Sequence, residues 1–257
     1  MEIFNSAKTI NMAIVFFRLV LGISLTLGCV FFAKLSFATE LQPYDLQYTA
    51  NLGGMKIEAR HQLKQNSGKY SIETQAKNFL GTISEKGSFK ISDSGQIVPL
   101  RYSRKQKSMV GNRSETHVFD WASNSLLYTF KKSQGTIAVS PGQFDRLSLT
   151  QQMRLDLTGG TKEFSYTHFR KGKFKQYQYR VVGNEIINLN SGSFNTVMVE
   201  RLEQNSSKNT KIWFASDWDF VVLKMETFEK NSQKTMVFDH GELNGNSILP
   251  LKNTVEI

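Results

Sequence analysis

Four histidines, His61, His117, His168 and His240, are the side chains best suited to move a proton or hold a metal near neutral pH, and they lie far apart in the chain. None belongs to an HExxH pair or stands beside a CxxC, so no local segment presents two ligands to one ion. The sequence also lacks a GxSxG elbow, a glycine-rich phosphate loop and a P-loop lysine. A structural or surface role is therefore expected for each histidine, with no catalytic residue, metal or cofactor, and the chain reads as a non-enzyme. In His117-Val118-Phe119-Asp120-Trp121 a carboxylate is close to an imidazole, but strand alternation puts positions 117, 119 and 121 on one face and Asp120 on the other. The segment predicts an aromatic core strand that closes with an Asp tying down a turn.

Basic and aromatic residues interleave around Arg101 to Lys107 and around Arg170 to Lys175, where Phe169, Phe174, Tyr177 and Tyr179 flank the cations. Such mixtures can bind single-stranded nucleic acid. The export signal read at the N-terminus argues against nucleic acid; charged hairpin tips or edge strands are the simpler expectation, and binding of an anionic envelope component is the intermediate one. Trp213-Phe214-Ala215-Ser216-Asp217-Trp218 crowds two indoles and a phenyl ring beside a turn, a pattern that suits either core packing or the mouth of an apolar cavity.

The export signal is read from Arg18, the uncharged apolar run Leu19 to Ala33, and Leu35-Ser36-Phe37-Ala38 with small residues at Ser36 and Ala38. Cleavage is expected after Ala38, and Met12 to Ala38 makes a more ordinary signal than the whole leader. Two alternatives stay open. A retained anchor would want roughly 20 apolar residues, and a lipoprotein signal would use Cys29 after Gly28, although Val30, Phe31 and Phe32 continue the apolar run. Cys29 is the single cysteine, so the mature chain would carry no thiol, and membrane contact would be through the export signal only. The formal charge of +10 is diffuse and falls mostly on the mature part.

From Tyr44 onward, short alternating runs are separated by turn residues: Gly53-Gly54, Asn66-Ser67-Gly68, Asp93-Ser94-Gly95, Ser123-Asn124, Lys171-Gly172 and Ser191-Gly192 among them. Ten or more antiparallel strands follow from this spacing. Pro99, between Val98 and Leu100, marks a strand start or an edge. Residues 144–157 differ, since they lack Gly and Pro, begin near Asp145 and end at Gly159-Gly160, which is helix punctuation. Leu147, Leu149, Met153, Leu155 and Leu157 also fit period two, so periodicity alone leaves the choice open. The domain reading is a signal at 1–38, one β-rich periplasmic domain at 39–245 and a short, loosely held tail at 246–257.

The order of Pro43-Tyr44-Asp45-Leu46-Gln47-Tyr48, Phe119-Asp120-Trp121, Asp145-Arg146-Leu147-Ser148-Leu149, Gly192-Ser193-Phe194-Asn195-Thr196 and Trp213-Phe214-Ala215 resembles domain-of-unknown-function family 3108, over about residues 41–243. Ser216 stands where that family often has Pro before an Asp. The resemblance implies an exported protein of Gram-negative bacteria with no assigned activity, and by analogy a fold like that of the lipoprotein carriers. The expected architecture is mainly β: a curved antiparallel sheet or half-open β-barrel packed around a helix near residues 144–157. The expected function is non-enzymatic binding of a lipid-like or hydrophobic ligand, or a lipidated partner, in the concavity. Its lining would be Phe119, Trp121, Leu147, Met153, Leu157, Trp213 and Phe214. The alternative is a structural or protein-interaction module of the envelope with a filled core.

Overall fold

A computed structural model describes residues 40–52, 54–109, 111–202, 208–229 and 232–252. The predicted signal at 1–38, with its cleavage site and Cys29, lies outside the described residues, as does Gly53 of the predicted Gly-Gly turn.

Strands β1 (Tyr44–Leu52), β2 (Met55–Asn66), β3 (Lys69–Asn78), β4 (Gly81–Ile91), β5 (Ile97–Ser108), β6 (Arg113–Asp120), β7 (Ser125–Phe130) and β8 (Ser133–Ala138) form one meander. Short β9 (Gln143–Phe144) leads into the helix α1 (Arg146–Thr158). A second meander follows: β10 (Glu163–Arg170), β11 (Lys173–Leu189), β12 (Gly192–Leu202), β13 (Lys208–Ala215), β14 (Val222–Glu229) and β15 (Ser232–Leu243). β1 pairs antiparallel with β15, which merges the two meanders into a single sheet running from β8 through β1 and β15 to β9. The path does not close on itself by hydrogen bonds. Near its two ends β6 and β7 meet β10 through side chains instead: Phe169 packs edge-on against His117 at 4.8 Å and lies 5.0 Å from Tyr128. The expected curved, half-open antiparallel sheet around one helix is the architecture this chain adopts.

An up-and-down sheet has two ends. One end carries the β1–β2, β3–β4, β5–β6, β12–β13 and β14–β15 turns and is called the tip end; the other, the base, carries β2–β3, β4–β5, β11–β12 and β13–β14. Pro99 is the third residue of β5, an interior strand, where a register shift opposite Ser88 and Phe89 accommodates its missing donor. Asp120 closes β6 as expected, since its Oδ1 accepts from the backbone N–H groups of Ala122 and Ser123. The described part of the expected tail, residues 246–252, is held against the sheet. β16 (Asn246–Ser247) pairs with β15, Ile248 is buried, and Leu251 N–H donates to the Ser193 carbonyl. Apolar burial and main-chain pairing outweigh the short segment's entropy.

α1 lies inside the concave face at the base and packs on β4, β5 and β10. It is buried on nearly every side, Leu147, Leu149, Met153, Leu155 and Leu157 among apolar residues and Gln151, Gln152 and Arg154 among polar ones. A helix enclosed this way has no single apolar stripe, which is why its sequence also fits period two. Gly87 lets it approach the sheet, because a Cβ there would fall 2.9 Å from Ile72 Cγ2 and 3.4 Å from Leu147 Cδ1. Its start is a reciprocal cap: Asp145 Oδ1 accepts from Leu147 N–H at 2.8 Å and Ser148 N–H at 3.0 Å, while Ser148 Oγ accepts from Asp145 N–H. Burial of this carboxyl holds its pKa above the usual range despite those donors. Asp145→Ala should therefore cost about 1–2 kcal/mol in urea unfolding, whereas Asp145→Asn, which keeps the acceptor and drops an ill-solvated charge, should melt close to the native protein.

Candidate functional site

The polar face of α1 ties the base shut. Arg154, 1% exposed, donates from Nε to the Asp219 carbonyl at 3.0 Å, from Nη2 to Asp219 Oδ2 at 2.6 Å and from Nη1 to Gln151 Oε1 at 2.7 Å. Gln151 Nε2 donates onward to the Tyr44 hydroxyl at 3.1 Å, and the guanidinium lies 5.0 Å from the Tyr44 ring centre. Burial pushes the Tyr44 hydroxyl up to about 12, so it stays neutral. Asp219 and Phe220 occupy the β13–β14 turn with φ of 47° and 50°, a left-handed pair that non-glycine residues adopt at a cost. Asp219 Oδ2 also accepts from Gln42 N–H at 3.1 Å, so one carboxylate joins the turn, the helix and the segment entering β1.

The seven residues expected to line a cavity fall into two groups. Leu147, Met153, Leu157, Trp213 and Phe214 are buried in the main core around the helix, each at most 6% exposed. Phe119 and Trp121 stack on one another at 5.8 Å in a separate cluster with Leu126, Val139 and Phe169. Trp213 Nε1 donates to Glu185 Oε1 at 2.6 Å and Lys224 Nζ sits 4.6 Å from its ring centre. The first five are buried together where the helix meets the sheet. A depression of about 410 Å³ lies instead between Gln62, Lys64, Glu73, Lys86 and Arg101. These alternate with inward-facing Leu63 and Tyr102, so it belongs to the outer, polar face.

Towards the tip end the inner face changes character. On β3, Tyr70 and Ile72 are buried at 3% and 1%, but Thr74 and Ala76, the next residues on that face, are half-buried. Phe89 gives way to Ile83 on β4 and Phe238 to Met236 on β15 in the same sense. Met236 pairs with both Met225 and Ala50, and Ala76 pairs with Ile83, which makes an apolar wall that solvent reaches. Beside it register sets a polar row across β2–β6: His61, Thr74, Glu85, Arg104 and Glu115. Glu85, buried, accepts from Arg146 Nη1 at 2.9 Å and forms an ion pair with Arg104, whose Nε lies 3.0 Å away, and the Arg146 side chain remains 66% exposed. An arginine that is anchored by a buried carboxylate yet open to water, at the start of the plugging helix, marks the floor of the open half. Sequence reading placed none of Ala76, Ile83, Met225, Met236, His61 and Arg146 in a lining: His61 was given a structural or surface role and Arg146 entered only as part of a family motif, since alternation reports which face a residue takes but not how far the helix covers it.

Among the described residues no three His, Cys, Asp or Glu side chains converge as metal ligands. His117 Nε2 lies 3.0 Å from Glu115 Oε1, and its ring stacks 4.8 Å from Tyr102, so the histidine is oriented by Glu115 rather than by Asp120. His61 is pushed down to about 4 by burial, then by the positive charges of Arg154 and Arg146; His168 is pushed down to about 4 by burial and by Arg170, Arg146, Arg201 and His117. Both are neutral in the folded chain and protonate more readily when unfolded. Their stabilising contribution is complete above the unfolded value near 6.5 and is lost as pH falls through that value towards about 4. Melting temperature should fall over that window, and the double replacement His61→Leu with His168→Leu should flatten the decline. For the base clasp, Asp219→Ala leaves the Arg154 charge buried without its partner and should lose about 3–5 kcal/mol in denaturant unfolding, while Arg154→Met combined with Asp219→Ala should recover part of it.

A family model described as "Protein of unknown function (DUF3108)" matches residues 43–239. No curated protein matches the sequence. Among solved structures, the β-barrel-like protein of domain of unknown function DUF1849 from Brucella abortus aligns with a TM-score of 0.54 at 8% identity, over 79% of this chain and 98% of that one. A putative lipoprotein from Parabacteroides distasonis ATCC 8503 aligns at 12% identity over 80% of this chain and 98% of that one, with a TM-score of 0.29. The first likeness agrees with the barrel-like fold. The motifs that carried the family resemblance cluster at the base: Asn195 Nδ2 donates to Asp217 Oδ2 at 2.8 Å, Asn244 N–H donates to the Pro43 carbonyl, and Tyr44 meets Gln151. Arg146, at the floor of the open half, is the exception among them; the others named here are scaffold residues.

Proposed function

We propose, from the premise that this chain belongs to the protein family of unknown function DUF3108, that it is a non-enzymatic protein of the bacterial cell envelope that holds a lipid-like, amphiphilic ligand in the tip-side half of its concave face. The observation that carries this reading is the pairing of an incompletely covered apolar wall with an adjacent charged row. Ala76, Ile83, Met225 and Met236 offer contact to an acyl chain, and methionine adapts to a loosely shaped one. Arg146 and Arg104 offer charge-assisted hydrogen bonds to a polar head at the edge of the same surface. Export is supported by the signal-like grammar of residues 18–38.

The burial of Leu147, Met153, Leu157, Trp213 and Phe214 in one cluster favours a second reading, an envelope interaction module that carries no ligand. Titration with a fluorescent fatty acid alongside thermal melting separates the two. The native protein should bind saturably; Met225→Asp should weaken binding by about tenfold or more with little change in melting, because its side chain is already partly wet. Trp213→Asp should unfold the domain instead. A well-folded native protein without saturable binding removes the ligand reading and leaves the interaction module.

A further inference from the structure

Five successive hairpin tips along the sheet each end in an exposed large apolar side chain: Met109 on β5–β6, Phe79 on β3–β4, Met55 on β1–β2, Phe228 on β14–β15 and Leu202 on β12–β13. Phe79 and Met109 are 85% and 83% exposed, and their turns touch, since Met109 N–H donates to the Leu80 carbonyl. The turns at the base carry no such residue among the exposed large apolar side chains, Leu249 of the C-terminal segment apart. Strands lie about 4.8 Å apart, so the tips bearing Met55, Phe79 and Met109 follow one another at roughly 10 Å intervals. Exposed Lys56, Lys77, Lys105, Lys107 and Arg113 surround these three, with Glu58 as the one acidic residue within four positions of them.

We propose that these three tips form a membrane-docking surface that seats the protein on an anionic phospholipid bilayer. Apolar side chains clustered at one end with cations beside them suit the boundary between acyl chains and phosphate headgroups, where the ring and thioether enter the apolar layer and the ammonium groups stay with the phosphates. Charge complementarity selects this occupant. A surface made for another protein's apolar patch has no need of five cations against one carboxylate, whereas an anionic leaflet attracts each of them. Among the described residues no helix is long and apolar enough to cross a membrane, and the proposed contact is one made by the tips, in addition to the contact expected of the export signal. The surface lies on the turns, outside the concavity, and does not depend on a ligand being held there.

The test uses the full protein with vesicles of phosphatidylethanolamine and phosphatidylglycerol, against vesicles of phosphatidylcholine alone. Phe79→Trp should be quenched on adding the anionic vesicles when their acyl chains are brominated, and Leu249→Trp should not be. Phe79→Ser combined with Met109→Ser should weaken sedimentation with those vesicles by tenfold or more, on the order expected for withdrawing two large apolar groups from lipid, while melting stays unchanged because both side chains are already exposed. Added salt should weaken the same binding. An unquenched Phe79→Trp overturns the proposal, even where the vesicles still capture the protein through its leader. So does concentration-dependent self-association that Phe79→Ser abolishes without any vesicle binding, which would assign the tips to a second copy of this chain.

Discussion

The buried contact of Arg154 with Asp219 fixes what the rest of this molecule can do. A charged guanidinium inside a core is unfavourable unless every donor is matched, and here matching it recruits the helix, the β13–β14 turn and, through Gln151 and Tyr44, the first strand. Asp219 and the residue after it, Phe220, both have positive φ at this contact. Because these partners come from both meanders, the clasp also sets how the β1–β15 junction sits relative to the helix. Removing polarity from this network would leave a greasy helix free to slide in the concavity; a directional network gives it one register. Breaking an ion pair of this kind costs more than the intact pair contributes, because the remaining charge is left buried without its partner.

Coverage of the inner face follows from lengths. α1 has 13 residues, which at 1.5 Å each is about 20 Å, whereas the 12-residue strands β2 and β5 extend for about 40 Å. A single helix of that size, pinned at the base, cannot shield the whole concave surface. The gradient from Tyr70 and Ile72 to Thr74 and Ala76 is the direct result, and so is the exposure of Arg146 at the end of the helix nearest the open half.

Much of the fold was legible in the sequence because its signals are local. Turn residues fell between alternating runs, and Asp145 with Gly159 bracketed the helix. The lining was less legible. Leu147, Met153, Leu157, Trp213 and Phe214, read as large apolar residues from separate segments, belong to one buried cluster. Phe119 and Trp121 joined a second cluster because the far ends of the sheet curl to meet through Phe169, a contact between residues distant in the chain that no local pattern encodes. The half-buried positions are harder still: Ala76 and Ile72 look alike in alternation, and only the place where the helix ends distinguishes them. The tips left a readable trace, Phe79-Leu80-Gly81 and Met109-Val110-Gly111, where large apolar residues stand in turns that ordinarily favour polar ones.

Closure at the base and openness at the tips are two sides of one arrangement. Side chains that could have capped the open half, Phe79 and Met109, point away from the core and are more than four-fifths exposed, so they contribute almost nothing to folding by burial. The neighbouring strands do not lack apolar contacts for them to join, since Ala76, Ile83 and Met225 remain partly uncovered within the same sheet. A sequence under pressure only to fold would turn such residues inward or make them polar, because exposed apolar clusters invite aggregation. Their position at the mouth of the incompletely filled half, and not around the sealed base, ties the uncovered inner wall and the apolar tips to the same end of the molecule. An apolar molecule leaving a bilayer for that wall would cross the least water if the tips rested on the bilayer itself.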